Sequence, residues 1–195
     1  MSDNKDQLSD AEIVERFKQG EHHLFDILVQ RYSNKAYQIA YGVLGHREDS
    51  EEVAQDVFVR VYKALPKFRG DSEFTTWMYR IAMNLARNKY RYNKSRGANR
   101  KISMQETIDD DDKRTLIQVP ETRLSPDDQA GLDEYQRNIM REIENLPPLY
   151  RDALVLRNID EMSYEKIAEV LDCKLGTIKS RIARAREELR KRLAR

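Results

Sequence analysis

The sequence predicts an all-α protein: two small helical domains joined by an acidic flexible linker, the C-terminal domain carrying a helix-turn-helix. Three observations lead there. Apolar residues recur at three- and four-residue intervals from Leu8 to Tyr92 and again from Ile139 to Leu189, and no convincing set of period-two strands accompanies them. The periodicity disappears from Ser95 to Gln129, where Asp109 to Asp112 run in succession and prolines stand at 120 and 126. Charge is segregated as well. A formal net charge of +1 hides eight Lys or Arg and no acid between Tyr79 and Lys101, and nine against Glu187 and Glu188 between Lys174 and Arg195.

The first domain, 1–94, is expected to hold four helical pieces. Ser9 and Glu12 have capping-box spacing, with Leu8 and Ile13 placed for a hydrophobic staple and Gly20 for a stop. A long helix follows over Glu21 to Leu44, packing Leu24, Leu28, Tyr32, Ile39 and Val43 and broken by Gly45. Asp49 and Glu52 suggest the next capped start, from which Val53, Val57, Val61 and Leu65 recur every fourth residue up to Pro66. A last helix starts near Ser72 and runs to about Tyr92 along the seam Trp77, Ile81 and Leu85.

Residues 95–130 read as an acidic tether, with a short ordered contact expected around Leu116 to Val119. The second domain, 131–195, opens on the stripe Ile139, Ile143 and Leu146. Pro147 and Pro148 then prepare a helix carrying Tyr150, Leu154 and Leu156. Ser163 suits the N-cap of a short helix bearing Ile167, Ala168 and Leu171, with Lys166 where a full capping box wants Glu or Gln. Asp172, Cys173 and Lys174 interrupt the pattern. A second helix begins near Leu175 with Ile178, Ile182, Ala185 and Leu189 on its packed face. Gly176 is expected to permit a close approach at its start, and Gly131 to be an interdomain feature.

Several classes are disfavoured. The lone Cys173 cannot form an intramolecular disulfide, belongs within or near the turn, and gives no support to a Cys-based metal site. His22, His23 and His46 lack metal-ligand spacing and belong on helix surfaces or near a helix end. With no catalytic constellation, neither an enzyme nor a cofactor is expected. The polar N-terminus is unlike a signal peptide and no apolar run has the length of a membrane span, so a cytoplasmic protein without direct membrane insertion is expected.

What remains is nucleic-acid chemistry. Thr177, Ser180, Arg181 and Arg184 leave one side of the last helix, and such side chains reach base edges or phosphates in a major groove. Lys179, Arg186, Arg190, Lys191 and Arg192 cannot all face bases, so phosphate contact or solvent takes several of them. A basic amphipathic helix ending a bundle would look similar, except that the short helix and polar turn before it favour recognition. In the first domain, FRGDSEFTTWMY (Phe68–Tyr79) is dense in aromatics and leads into a helix whose polar side holds Arg80, Asn84, Arg87 and Arg91. Aromatics stack on exposed bases, Asn reads a base edge and Arg neutralises phosphate, which together suit an opened strand. Phe74 and Trp77 serve equally well as core anchors. The acids Glu51, Glu52, Gln55-flanked Asp56 and Asp49 fit either a solvated face or a docking face.

The runs Asp49–Asn88 (DSEEVAQDVFVRVYKALPKFRGDSEFTTWMYRIAMNLARN) and Leu146–Leu193 (LPPLYRDALVLRNIDEMSYEKIAEVLDCKLGTIKSRIARAREELRKRL) resemble the two domains of bacterial extracytoplasmic-function sigma factors, group IV of the sigma-70 superfamily, and are most similar to the envelope-stress branch. The resemblance implies a transcription initiation factor that binds core RNA polymerase, directs it to promoter DNA and stabilises opened minus-10 DNA, with an anti-sigma factor as inhibitor. It assigns Asp49, Glu52, Gln55 and Asp56 to polymerase binding. Phe68, Arg69, Phe74 and Trp77 fall in the melting region and its base-capturing loop, and Arg80, Asn84 and Asn88 on the minus-10 helix. Thr177, Lys179, Ser180, Arg181 and Arg184 fall on the minus-35 helix. The acidic linker, with Asp109 to Asp112, is implied to pass near the active-site and RNA-exit channels. Two positions depart from the family pattern: Leu175 stands where proline is common, and Asp56 replaces a frequent glutamate. The alternative is a helix-turn-helix regulator, or a nucleic-acid adaptor, without sigma activity.

Overall fold

A computed structural model describes residues 8–100, 138–159 and 161–194, with side chains left out at 97–100. Every regular element among them is helical. The expected tether beyond residue 100, including Asp109 to Asp112 and Leu116 to Val119, lies outside the described residues, as does Gly131.

Helix α1 spans Asp10–Lys18 and begins as its sequence dictates. Glu12 N–H donates to Ser9 Oγ at 3.3 Å, and the Glu12 carboxylate accepts from Ser9 N–H at 2.8 Å, a complete capping box. Leu8 packs against the core beside it. Asp10 ties the helix down by accepting from Arg31 at 2.9 Å and from the Tyr32 hydroxyl. Burial first, and that hydrogen bond second, push the Tyr32 phenol well above its ordinary range.

A 3-10 turn, His22–Leu24, separates α1 from α2 (Phe25–Leu44), so the long helix starts later than Glu21. Glu21 is drawn back to α1, where its carboxylate accepts from Arg16 Nε at 2.7 Å. Gly45 ends α2 with φ of 65°, its N–H on Tyr41 O at 2.8 Å, as a left-handed C-cap requires. Helix α3 (Arg47–Ala64) is capped by His46, whose Nδ1 accepts from Asp49 N–H at 3.4 Å. Asp49 therefore lies inside the first turn and its carboxylate is free for other partners. A 3-10 turn over Leu65–Lys67 absorbs Pro66.

Helix α4 runs from Phe74 to Arg100, past the expected end near Tyr92 and six residues past the expected domain limit at Lys94. Its apolar seam does stop, but the helix continues through a polar stretch that includes Lys94 and Arg96, with local support such as Arg96 donating to Tyr92 Oη at 3.2 Å. The lost periodicity marked the end of burial, not of the helix. Ser72 does not cap it; its hydroxyl turns to Glu73 O.

Helices α2, α3 and α4 enclose the first core with Leu28, Ile39, Val43, Val57, Val61, Met78 and Met83. In the second module α5 is described over 138–144, followed by α6 (Pro148–Asn158), α7 (Tyr164–Val170) and α8 (Leu175–Leu193). Ile143, Leu146, Leu154, Val155 and Ala185 form one core between α5, α6 and α8. Leu156, Ile167, Ile178 and Ile182 join the apolar cluster of the first module, so the two modules are packed against each other.

Ser9→Ala is expected to lower stability by about 1 kcal/mol through loss of the cap. Urea denaturation followed by circular dichroism measures it. Hydrogen bonds from Ser9 hold the Glu12 carboxyl below its ordinary value. That contribution is present above the unfolded-state value and is lost as pH falls through the lowered one, so the variant is expected to show a flatter acid limb.

Candidate nucleic-acid and polymerase surfaces

The helix-turn-helix is assembled by local backbone chemistry. Ser163 caps α7 by accepting from Lys166 N–H at 3.2 Å. The turn bends through Asp172, a non-glycine residue at φ of 49°, which Asp tolerates better than most. Cys173 N–H closes it on Ala168 O at 3.0 Å. Helix α8 then leaves with Ile178, Ile182 and Ala185 buried. Lys179, Ser180 and Arg184 project into solvent, Ser180 Oγ donating to Thr177 O at 2.9 Å. Thr177 and Arg181 are half-buried on the flank, and the Arg181 guanidinium turns to Cys173 Sγ at 3.7 Å. Thus Lys179, Ser180 and Arg184 form the outer edge, with Arg181 set deeper. The close approach expected at Gly176 is not made within the chain: a Cβ there would meet nothing within 4 Å.

In the first module, Gly70 (φ of 79°) turns the chain between α3 and α4 and folds Phe68 back over the start of α4. Phe68 and Trp77 lie with ring centroids 4.8 Å apart, and Phe74 sits 6.1 Å from Trp77. The three differ in access. Phe74 is only 5% exposed and leans on Tyr32, whereas Phe68 and Trp77 are half-buried. An open cleft of about 340 Å³ lies against them, bordered by Lys67, Arg69, Ser72 and Arg80. Arg69 is exposed and paired with Asp71 at 2.6 Å. Along α4, Arg80, Asn84 and Arg87 share a face by their spacing, with Asn84 and Asn88 exposed. Asn88 Oδ1 accepts from Arg91 at 2.5 Å. Arg80 donates from Nε and Nη2 to Glu169 O at 2.9 and 2.7 Å, and Arg87 Nε donates to Asp152 at 2.7 Å.

The third surface is the outer face of α3. Glu52, Gln55 and Asp56 are exposed on it. Asp49 is half-buried, accepting from Lys89 at 3.1 Å and Asn93 at 2.7 Å. Burial raises its carboxyl, but Lys89 and Asn93 outweigh that and leave it below its ordinary value. Lys89 also reaches Glu52 at 2.5 Å, so two acids of the face are braced by α4. Val59 (51% exposed) and Tyr62 (43%) extend the face with apolar area. The four-residue pattern of buried valines passed over both. Their signal was their position, one turn beyond the acids and out of phase with the core.

Sequence reasoning also missed Arg151 and Asp152, charged residues in the middle of α6 that are each 1% exposed. Arg151 stacks over the Tyr90 ring at 4.0 Å and donates to Glu144 O at 3.3 Å. Their only trace in the sequence is charge within a short helix that is apolar on every side.

Two helices with basic faces and an acidic outer face on α3, on one all-helical chain of two modules, are the features expected of a nucleic-acid-binding protein. The comparisons with known proteins narrow this. The model of sigma-70 region 2 matches residues 28–96, and that of sigma-70 region 4 matches residues 136–189. The chain is 37% identical over 188 residues to the ECF RNA polymerase sigma-E factor of Haemophilus influenzae, covering 96% of this chain and 97% of that one. It is 36% identical to the RNA polymerase sigma-H factor of Pseudomonas aeruginosa, over 96% and 95% of the two chains, and 37% identical to the sigma-E factor of Escherichia coli, over 94% of each. Its fold matches that of CnrH, solved in complex with the cytosolic domain of CnrY, with a TM-score of 0.67 at 25% identity over 93% of this chain and 95% of that one. The sigma factor RpoE of Bartonella quintana, solved with the anti-sigma factor NepR, shares the fold with a TM-score of 0.61 at 22% identity, over 87% and 96%. The chain belongs to the ECF sigma-factor family and is a noncatalytic transcription factor that directs RNA polymerase to promoters. Among the described residues no helix is long and apolar enough to cross a membrane.

Phe74→Ala is expected to cost about 3–5 kcal/mol of stability, as for other buried aromatics. Arg69→Ala, at an exposed pair, is expected to stay within about 0.5 kcal/mol. Parallel urea titrations separate the anchor from the surface residue.

Proposed function

We propose that promoter direction is divided between two surfaces of this chain, with α8 reading minus-35 duplex and the Phe68–Trp77 cleft with α4 holding opened minus-10 DNA. One observation carries this: an aromatic-walled cleft bordered by Arg80 leads onto a helix face with Asn84 and Asn88 exposed, on the same chain as an outward-facing basic helix. Duplex bases are stacked and their faces closed, so an aromatic cleft gains by binding only after the strand opens. Binding energy, rather than nucleotide hydrolysis, would then hold the bubble.

Lys179, Ser180 and Arg184 make the outermost contacts with minus-35 DNA, while Thr177 and Arg181 act from the flank. Phe68 and Trp77 supply stacking surface, Arg69 and Arg80 border the cleft, and Asn84 and Asn88 read or position the minus-10 strand. Phe74 supports the cleft from beneath. The first domain, helical through Arg100, and the second, 131–195, carry these roles, and the segment between them is the tether. Core polymerase docks on Asp49, Glu52, Gln55 and Asp56, extended by Val59 and Tyr62. The combination suits a protein interface, with an apolar centre and charges that set register. The factor acts in the cytoplasm with polymerase and belongs to the envelope-stress branch, a reading supported by its identity with sigma-E factors. An anti-sigma factor is its further partner, a reading supported by the fold shared with CnrH, which was solved bound to CnrY.

Reconstituted transcription with core polymerase and a promoter library is expected to yield sequence-specific initiation. DNA binding without initiation would return the chain to the regulator or adaptor class. Within that assay, Asn84→Ala is expected to reduce permanganate-reactive open complex about tenfold while polymerase binding persists. Lys179→Ala is expected to weaken binding to all promoters about equally and lower the slope of log K against log salt by about 1.

A further inference from the structure

Helix α4 opens on Phe74, with the Ser72 hydroxyl turned to Glu73 O. Packing holds that first turn within its own module. Phe74 is buried, its ring centroid 5.8 Å from that of Tyr32 on α2, 6.1 Å from Trp77 and 6.5 Å from Phe68, the last edge-on. A phenyl ring has no polar atom to anchor it, so its setting is only as firm as that of its neighbours. Phe68 and Trp77 are half-open on the cleft side. Tyr32 is the neighbour on the other side, and it is fastened.

The fastening comes from α1. The Tyr32 hydroxyl donates to one oxygen of the Asp10 carboxylate, and Arg31 Nη1 donates to the other at 2.9 Å. Arg31 Nη2 also donates to Leu8 O at 2.7 Å. Asp10 stands in the first turn of α1, which the capping box of Ser9 and Glu12 holds in place. A hydrogen bond to a carboxylate is stronger than one between neutral groups. Burial and this bond push the Tyr32 phenol up, so it remains a donor at neutral pH. Lys35 lies over the same ring at 5.7 Å. A line of contacts thus runs from Asp10 through Tyr32 and Phe74 to Trp77. Neither Asp10 nor Tyr32 borders the cleft itself, and α1 lies ahead of the segment that matches sigma-70 region 2.

We infer that Asp10 and Tyr32 are positioning residues for capture of an unstacked base: they fix Phe74 from behind, and Phe74 sets the angle at which Phe68 and Trp77 face the cleft. The inference rests on the proposed role of that cleft. Stacking needs a ring face held at a defined separation and tilt. A wall that rocks must be ordered at the moment of binding, and that cost is subtracted from affinity for the opened strand. Polymerase docking on α3 and duplex reading by α8 bear none of it, because neither surface includes these rings.

The test uses the full chain and its one tryptophan, Trp77, whose emission in the free protein reports on the cleft alone. Tyr32→Phe keeps the ring and removes the hydroxyl, Asp10→Ala removes the acceptor, and Asp10→Asn keeps an acceptor oxygen. All are compared at a temperature where circular dichroism shows them folded. Acrylamide quenching of Trp77 is expected to rise in Tyr32→Phe and Asp10→Ala and to return toward that of the unsubstituted chain in Asp10→Asn. With core polymerase, the first two are expected to lower permanganate-reactive open complex about fivefold, the scale of one hydrogen bond, and Asp10→Asn to stay within about twofold. Polymerase affinity and protection of minus-35 duplex are expected to hold in all three. Unchanged quenching, unchanged open complex or an equal loss of polymerase binding would overturn the inference. Trp77→Ala in parallel separates it from the reading beneath. Normal promoter opening by Trp77→Ala would remove the role of the cleft and the inference with it. A defective Trp77→Ala beside normal Tyr32→Phe and Asp10→Ala would overturn the inference alone.

Discussion

The seam between the modules turns on one carboxylate. Asp152 has a side chain only 2% exposed, and ionised it would bear a desolvation cost of several kcal/mol if it stood alone. Burial accordingly raises its pKa, against the pull of Arg87, which lies 2.7 Å away on the other module. Arg151 and Arg181 add further positive potential from its own module. The second module thus contains a buried acid whose direct partner is supplied by the first. That dependence couples the packing of α6 to the face of α4, and through α4 to the aromatic cleft.

The seam mixes polar with apolar contact. A seam built of leucines would cost free energy in proportion to every apolar Å² exposed on opening. Here an ion pair, a cation–π contact between Arg151 and Tyr90, and backbone caps carry much of the contact. When such groups separate they regain water, which returns much of what was lost on burial. The apolar part is concentrated where α6 meets α2 and where Leu156, Ile167 and Ile178 continue the first core. That mixture resembles interdomain interfaces that move, rather than those that are permanent.

How much of this was legible in the sequence depended on whether the signal was local. Ser9 with Glu12, Gly45, Ser163 and the start of α8 at Leu175 act through neighbours within four residues, and all appear where expected. The four-residue rows of α3 and α8 identified their buried faces for the same reason. The end of α4 was misplaced because periodicity reports burial, and a helix can outlast its buried stripe. His46 rather than Asp49 caps α3 because Asp49 has partners in Lys89 and Asn93, some 40 residues distant in sequence. The aromatic cluster was visible as composition. Its division into a buried Phe74 and a half-open Phe68–Trp77 pair depended on packing against Tyr32, which no local pattern encodes. Arg151 and Asp152 were invisible for a stronger reason: each has its meaning only when the other module is present.

The near-zero net charge can be understood in those terms. Two strongly basic segments on one chain repel each other, and a packing that brings them near requires acceptors between them. Asp152, Glu73 and the Glu169 carbonyl stand in that position. DNA offers the same donors phosphate oxygens and base edges instead. Arg80 and Arg87 of α4 thus have their acceptors in the second module.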